Sequence, residues 1–204
     1  MNMKLKLGTH ISFTGVGGAG KTTLANWMQD EYKCRIVPSI TRSVYADWNL
    51  TEASIEELSP ETAWILQRRI FDEHQRQQAR MFNAVATGTA TVSERTLIDY
   101  YSYGIYRCRE YEHLTQSVAA KLRTRAINQA KKYDLIIYLP PPTWKLEADG
   151  FRGASDVDRL IIDALIYQAL SHVDSSRVFY VEGSSIRYRQ QTIRERLDHL
   201  GLVY

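Results

Sequence analysis

The sequence is poor in the residue types that stabilise small secreted domains and structural metal sites. It has only two cysteines, Cys34 and Cys108, in 204 residues, with no C-x-x-C pair and no His/Cys cluster. Neither a disulfide framework nor a structural zinc site is therefore supported, and we expect a reducing, cytoplasmic location. The five histidines are scattered along the chain, so none of them is a candidate metal ligand.

Long apolar runs are missing as well. No stretch approaches the roughly 20 apolar residues that a spanning helix needs, and Lys4 and Lys6 interrupt the first residues. The sequence therefore predicts neither a membrane span nor a signal peptide. It also lacks repeats and linkers, and its length suits one compact domain over residues 1–204. A formal net charge of +3, spread through the chain, weakly favours an anionic partner.

Five short apolar stretches alternate with longer segments of helical period. Because neighbouring parallel strands need crossover connections, this order predicts an α/β fold: a five-stranded parallel sheet with helices on both faces. The predicted strands cover 9–15, 34–38, 89–93, 134–140 and 177–182, and the predicted helices cover 21–32, 60–85, 111–132, 156–173 and 184–199.

The stretch FTGVGGAGKTTLA, residues 13–25, lies between the first strand and the first helix and matches G-x-x-x-x-G-K-[ST]. Glycines let consecutive N–H groups form an anion nest, and the start of the helix adds its positive end. We expect Lys21 to reach the β- and γ-phosphates of a nucleotide and Thr22 to hold Mg²⁺. The predicted nucleotide-binding residues are Gly15, Gly17, Gly18, Ala19, Gly20, Lys21, Thr22 and Thr23.

The stretch TVSERTLIDYYSYG, residues 91–104, follows the third predicted strand. Ligands of open α/β sheets bind at this edge, and phosphoryl transfer needs a group that orients the attacking oxygen and positive charge on the moving phosphoryl. Glu94 is the candidate for the first role, or for holding a metal-bound water, and Arg95 for the second. The alternative is a surface ion pair at a helix start capped by Ser93.

A third candidate is Arg152, within ADGFRGASD at residues 148–156. Its flanking glycines predict a small lid at about 145–156 that closes Arg152 over the triphosphate, with Arg159 of the next helix as a second cation. The alternative is an ordinary helix start, in which Asp156 and Asp158 complement the helix dipole.

An acceptor pocket is suggested by VPSITRSVY, residues 37–45. Arg42, between Thr41 and Ser43, suits an anion or a sugar hydroxyl. Together with Asp99 and Tyr103, it is expected to bind the acceptor, with the neighbouring tyrosines stacking on a flat ring. The alternative is that these tyrosines pack in the core.

Taken in order, GVGGAGKTTLA, TRSVY, WILQRRIFDEHQRQQA, VSERTLIDYYSYG, YDLIIYLPPP, EADGFR and VFYVEGSSIRYRQQTI resemble the nicotinamide-riboside-kinase-like and thymidylate-kinase-like P-loop kinases over about residues 9–197. The resemblance implies a P-loop NTPase fold with strand order 2-3-1-4-5 and a kinase that uses ATP and Mg²⁺. It makes Glu94 and Arg95 the family's carboxylate–arginine pair, Arg152 the lid arginine, and residues 183–187 the adenine-side loop, with Gly183 and Arg187 as its nucleotide contacts.

Two departures from the family pattern matter. Many relatives have aspartate where this chain has Glu94, so the pair also resembles the Glu-Arg-Ser of deoxynucleoside kinases, with Thr96 in place of serine. In addition, no clear Walker-B aspartate ends the fourth predicted strand. The acceptor, nucleoside or nucleotide, is therefore left open by these motifs.

The leading prediction is a kinase of a nucleoside, a nucleoside monophosphate or a related small molecule, with a homodimer as an open possibility. One alternative is a kinase of a modified, hydroxymethylated base in DNA, motivated by the basic stretch at residues 121–132. Another is a nucleotide-switched ATPase or GTPase binding module.

Overall fold

The computed structural model describes residues 4–51, 54–55, 57–85, 88–141, 156–183 and 185–204. At its centre is a parallel sheet with the strand order β2-β3-β1-β4-β5. The predicted fold class and strand order are therefore confirmed, although the strands are shorter than predicted. They are β1 His10–Thr14, β2 Arg35–Val37, β3 Thr91–Ser93, β4 Leu135–Tyr138 and β5 Val178–Tyr180.

Helices form the crossovers between the parallel strands and cover both faces of the sheet. A short 3₁₀ turn, Ser175–Arg177, precedes β5. The helices are α1 Lys21–Tyr32, α2 Thr41–Asp47, α3 Pro60–Val85, α4 Leu97–Arg107, α5 Gln116–Ala130, α6 Asp156–Leu170 and α7 Ile186–His199.

Successive side chains of each strand enter two separate apolar layers, as the period of two requires. In β4, Ile136 and Tyr138 pack in the layer that α3, α4, α5 and α6 cover. Leu135 and Ile137 pack in the opposite layer, under α1 and α7. Because both faces are covered, ligands have access to the sheet at its edges, and the glycine-rich loop follows the carboxyl end of β1.

Helix α4 is the main feature that the sequence did not predict. Its start is a capping box: the Thr96 side chain accepts the N–H of Ile98, and the Asp99 side chain accepts the N–H of Thr96. The cap is thus Thr96, and not Ser93. Four tyrosines and Gly104 have weak helix propensity, so this helix depends on its cap and on burial.

Helix α2 was also not predicted. Helix α5 begins at residue 116 rather than 111 because the Thr115 side chain caps it by accepting the N–H of Val118. The predicted lid lies outside the described residues apart from Asp156, which begins α6. Among the helices described, none has the length and the apolar composition to cross a membrane.

Candidate active site

The loop between β1 and α1 has the backbone conformation for which its glycines are suited. Gly15, Gly18 and Gly20 have φ angles of +136°, +79° and +91°, which L side chains rarely adopt. Gly15 also lies against the end of β4, where a Cβ atom would overlap the carbonyl oxygen of Leu139. The loop can therefore follow this course only with glycine at position 15.

Lys21 lies across this loop. Its Nζ donates to the carbonyl oxygens of Gly15 and Val16, both at 2.6 Å, and the residue is buried. The next two residues, Thr22 and Thr23, are exposed in the first turn of α1. The ammonium group and the amides at the start of the helix thus belong to one loop–helix junction, which is the arrangement that binds phosphate.

Asp99 of α4 anchors the start of the loop. Its Oδ1 accepts the N–H of Gly15 at 3.0 Å, and its Oδ2 accepts the hydroxyls of Thr14 and Thr96, each at 2.8 Å. An ion pair of 3.5 Å joins Asp99 to Arg95. The sequence predicted an acceptor contact for Asp99, but the carboxylate is fully buried and binds groups of this chain. Its observed contacts are those of a residue that positions the loop.

Tyr103 of α4 also contacts the loop, since its hydroxyl accepts the N–H of Gly17 at 2.7 Å. The guanidinium of Arg95 lies 5.4 Å from the ring centroid of Tyr103 and 5.9 Å from that of Tyr100. These ring contacts, together with the Asp99 ion pair, fix a cation beside the glycine-rich loop. The predicted residues Arg95, Asp99 and Tyr103 are thus brought together around the loop.

Glu94 and Arg42 occupy the next part of the same edge of the sheet. Glu94 is buried, and its Oε2 accepts the N–H of Ser39 at 3.0 Å, which ties the end of β3 to the segment after β2. Arg42 is exposed near the start of α2. The structure therefore places Glu94 beside Arg95 at the strand end, as predicted, and leaves Arg42 on the surface.

The residues present suit a magnesium ion. The described part of the chain contains no group of three or more His, Cys, Asp or Glu side chains that could hold a metal. Mg²⁺ needs no such cage, because it keeps several waters and is bound by one or two protein oxygens together with substrate phosphates. The exposed hydroxyl of Thr22 and the carboxylate of Glu94 are the oxygens that could supply those ligands.

On the other side of the loop is an arginine that the sequence analysis missed. Arg189 of α7 is buried; its Nη1 donates to the carbonyl oxygen of Ala19 at 2.7 Å and its Nε to that of Gly183 at 2.5 Å. Burial lowers the pKa of this guanidinium. The predicted contact, Arg187, is exposed instead. Arg187 and Arg189 are two positions apart, so their side chains point to different sides of α7. Only the packing of the helix shows which of them faces the loop.

Helix α6 begins at the same edge, since the chain must return from the carboxyl end of β4 to the amino end of β5. Arg159 is buried in its first turns; Nη2 contacts Asp156, while Nε and Nη1 have no hydrogen-bond partner in the described structure. One turn later, burial raises the pKa of the Asp163 carboxyl, and the bond from Tyr138 and the charge of Lys21 oppose that shift. The lid arginine Arg152 lies outside the described residues.

A cleft of about 330 Å³ opens between α3, α4 and α6. Two of its lining residues, Leu66 and Ile162, pack in the same apolar layer as Val16 of the glycine-rich loop. Tyr106 and Arg107 line it one turn beyond Tyr103 on α4, and Gln67 lines it from α3. None of the predicted acceptor residues is among those that line this cleft.

The basic stretch at residues 121–132 does not border the glycine-rich loop. It lies on α5 and the turn that leads to the amino end of β4, whereas the loop follows the carboxyl end of β1. Arg125 makes its contacts within this chain: its guanidinium pairs with Asp72 at 2.7 Å and lies over the ring of Phe71.

Known proteins with this fold are distant in sequence. No curated protein sequence matches the chain. The structure of NadR in complex with NAD and AMP-PNP has a TM-score of 0.63 and 15% identity; the match covers 95% of this chain and 49% of that one. This chain therefore spans about half the length of NadR.

Two kinases match this chain over nearly their whole length, unlike NadR. Deoxyadenosine kinase from M. mycoides with bound dCTP has a TM-score of 0.66 and 11% identity, and the match covers 94% of this chain and all 100% of that one. Thymidylate kinase from Candida albicans has a TM-score of 0.58 and 18% identity, and the match covers 95% of this chain and 92% of that one. These similarities show the fold that the sequence motifs predicted.

A protein-family model described as an AAA domain matches residues 10–185, from the first strand to the residue before α7. The match includes the glycine-rich loop, whose backbone, lysine and helix start have the phosphate-binding arrangement described above. The chain belongs to this AAA domain family of P-loop proteins.

Proposed function

We propose that this protein transfers the γ-phosphate of ATP to a nucleoside, a nucleoside monophosphate or a related small acceptor. The observation that carries the proposal is the hydrogen bond from Gly17 to the Tyr103 hydroxyl. It joins the P-loop to the helix whose next turn lines the cleft between α3, α4 and α6. A site for a nucleotide and a site for a second molecule therefore share one helix.

The donor side follows from the P-loop. Amides of the P-loop and of the start of α1 bind the phosphates, and Lys21 neutralises the β- and γ-phosphates. Thr22 and Glu94 are the proposed protein ligands of Mg²⁺, which when bound would offset the charge of the phosphates. Arg189 holds the backbone of Ala19 in place from the opposite side.

Positive charge for the transferred phosphoryl comes from Arg95 and Arg159. Arg95 is held by Asp99 and two tyrosine rings, so little side-chain entropy is lost when it binds an anion. Arg159 has two buried N–H donors that no described residue accepts, and such donors are costly unless a ligand satisfies them. Arg152 remains the proposed lid arginine.

The acceptor is proposed to occupy the cleft. Gln67 is buried and offers an amide donor and an amide acceptor, the pair that a base edge needs. Arg107 supplies a cation, and Leu66 and Ile162 supply an apolar wall. Solved proteins of this fold include a deoxyadenosine kinase with bound dATP and NadR in complex with NR, which supports an acceptor of nucleoside type.

A γ-³²P transfer screen tests the proposal. The purified protein is incubated with labelled ATP, Mg²⁺ and one acceptor at a time: nucleosides, nucleoside monophosphates, nicotinamide riboside, or DNA with a hydroxymethylated base. We expect label on a small acceptor. Release of labelled phosphate alone would contradict the proposal and favour the nucleotide-switched module, and label on DNA alone would favour the DNA kinase.

Lys21→Ala provides the matched negative control in that screen. Loss of a charged phosphate contact should lower transfer about 10³-fold, the scale of several kcal/mol of transition-state stabilisation. Lys4→Ala removes the same charge from an exposed site and should transfer at the wild-type rate. Transfer by Lys21→Ala near the wild-type rate would show that this loop is not the donor site.

A further inference from the structure

The outward face of α6 is uncharged for about three turns. Its exposed residues are apolar or small apart from Gln168: Val157 is 63% exposed, Leu160 60%, Tyr167 53% and Ile161 44%, with Ala164 exposed at the middle. The charged residues of the helix lie on its other side or at its start. Since solvated helix faces normally carry charge, a continuous apolar face of this kind indicates an interaction surface.

This apolar face continues onto the edge of the sheet. The ring of Tyr167 lies 6.4 Å from that of Tyr138 and 6.0 Å from that of Tyr180. Tyr180 is 46% exposed at the end of β5, which is an edge strand. The α6 surface, defined as Val157, Leu160, Ile161, Ala164, Tyr167 and Tyr180, is therefore one contiguous patch.

The two ends of the α6 surface carry opposite charge. Asp156, whose side chain is 86% exposed, lies at the start of the helix. Just beyond its end, His172 lines a groove of about 270 Å³ together with Arg123 and Lys131. An acidic end, an apolar middle and a basic end follow one another along about 22 Å of helix.

We propose that the α6 surface is the contact between two copies of this chain, with the two helices antiparallel across a two-fold axis at Ala164. A two-fold contact places each residue opposite its symmetry-related position. With Ala164 on the axis, Asp156 faces His172 of the second copy and Ile161 faces Tyr167. Asp156 then lies at the groove of the second copy in which Arg123 and Lys131 supply positive charge, and a methyl group at the axis lets the helices approach closely.

The size of the surface sets the expected affinity. Stable interfaces bury about 800 Å² on each partner, and smaller ones belong to weak or transient complexes. One helix face with Tyr180 and the rim of the basic groove is at the low end of that range. We therefore expect a dimer that dissociates at concentrations on the order of micromolar. The inference does not depend on the proposed chemistry.

Sedimentation velocity from about 1 to 100 µM tests the state of assembly. The wild type should approach twice the 23.5 kDa of one chain as its concentration rises. Ala164→Arg places two like charges at the axis and should raise the dissociation constant at least about tenfold. Gln29→Arg adds the same side chain to the exposed face of α1 and should leave the dimer unchanged.

A cysteine at the axis tests the geometry. Cys34 and Cys108 are buried, and burial raises their thiol pKa to about 12 and about 11, so they react slowly. In Ala164→Cys, two copies bring their new thiols together, and mild oxidation with diamide should give a disulfide-linked dimer. Gln29→Cys should give no disulfide-linked dimer under the same treatment.

Each of three outcomes would overturn the proposal. The wild type could stay monomeric at the highest concentration, as it would if residues 142–155 or a different protein covered the α6 surface. A dimer could form that Ala164→Arg does not weaken, which would place the contact on another face. Ala164→Cys could fail to crosslink although the wild type forms a dimer, which would show that the two-fold axis does not pass through position 164.

Discussion

The carboxylate of Asp99 accepts the N–H of Gly15 at 3.0 Å, so that α4 holds the first amide of the P-loop in place. The same carboxylate accepts the N–H of Thr96, which begins α4. One buried side chain therefore fixes both the loop that binds the nucleotide and the helix that carries Tyr103 and lines the cleft. Its geometry explains how two distant segments of sequence form one site.

Replacing Asp99 with asparagine should destabilise the protein by about 3 kcal/mol. In either orientation of the amide, its NH₂ group faces a backbone N–H, of Gly15 or of Thr96, and that pair cannot form a hydrogen bond. Urea unfolding of Asp99→Asn measures the loss. Asp174→Asn is the control, since Asp174 is an exposed cap that accepts the N–H of Ser176 and asparagine can do the same; equal stability losses in both variants would refute the argument.

A methyl group at position 15 should cost about 3 kcal/mol of folding free energy. In Gly15→Ala, the new residue would be strained at a φ of +136°, and its methyl group would collide with the carbonyl of Leu139. The same addition at Gly17 meets only the Tyr103 hydroxyl at 3.4 Å, so Gly17→Ala should unfold closer to the wild-type midpoint. Similar midpoints for Gly15→Ala and the wild type would mean that the loop takes another course.

Arg189→Met should weaken nucleotide binding about tenfold, or about 1.4 kcal/mol. Without its guanidinium, the carbonyls of Ala19 and Gly183 lose the donor that holds the loop. Titration of the protein with AMP-PNP by calorimetry measures the change. Arg187→Met tests the family resemblance in parallel: we expect the smaller effect from it, because Arg187 is exposed, and the reverse order would favour Arg187 as the nucleotide contact.

The sequence anticipated the fold better than the contacts of the site. The parallel α/β sheet and the P-loop were correctly predicted because alternating periods and the G-x-x-x-x-G-K-[ST] pattern are local properties of the chain, whereas the strand order came from the family resemblance. Asp99 was assigned to the acceptor because it follows the third predicted strand, and Arg187 was assigned to the nucleotide through the family resemblance. Whether such a side chain faces a ligand or the protein depends on which side of the helix it lies and on which residues pack against it. A local sequence pattern does not encode either of these.

Stability should fall between about pH 6.5 and pH 4 because of His74. Burial lowers the pKa of this histidine to about 4 from its ordinary value of 6.5, and Nε2 donates to the carbonyl oxygen of Arg95 at 3.1 Å. The unfolded chain therefore binds a proton in this window while the folded chain does not. The expected loss is about 2 kcal/mol between about pH 7 and pH 5.

Urea unfolding at these two pH values measures that loss. His74→Gln should show a smaller difference between them than the wild type, whereas His113→Gln, which changes an exposed histidine, should keep the full difference. His10, whose pKa burial also lowers, contributes equally to all three proteins. An unchanged pH dependence in His74→Gln would show that His74 is protonated in the folded state.

By itself, the sequence determined the five strands, the alternation of strands with helices and the position of the P-loop, because hydrophobic period and glycine spacing act over a few neighbouring residues. Tertiary structure alone decided that Asp99 and Arg189 support the loop, that a cleft opens beyond Tyr103, and that one face of α6 stays apolar and exposed. Each of these depends on side chains far apart in the chain, and only the packing of helices against the sheet brings them together.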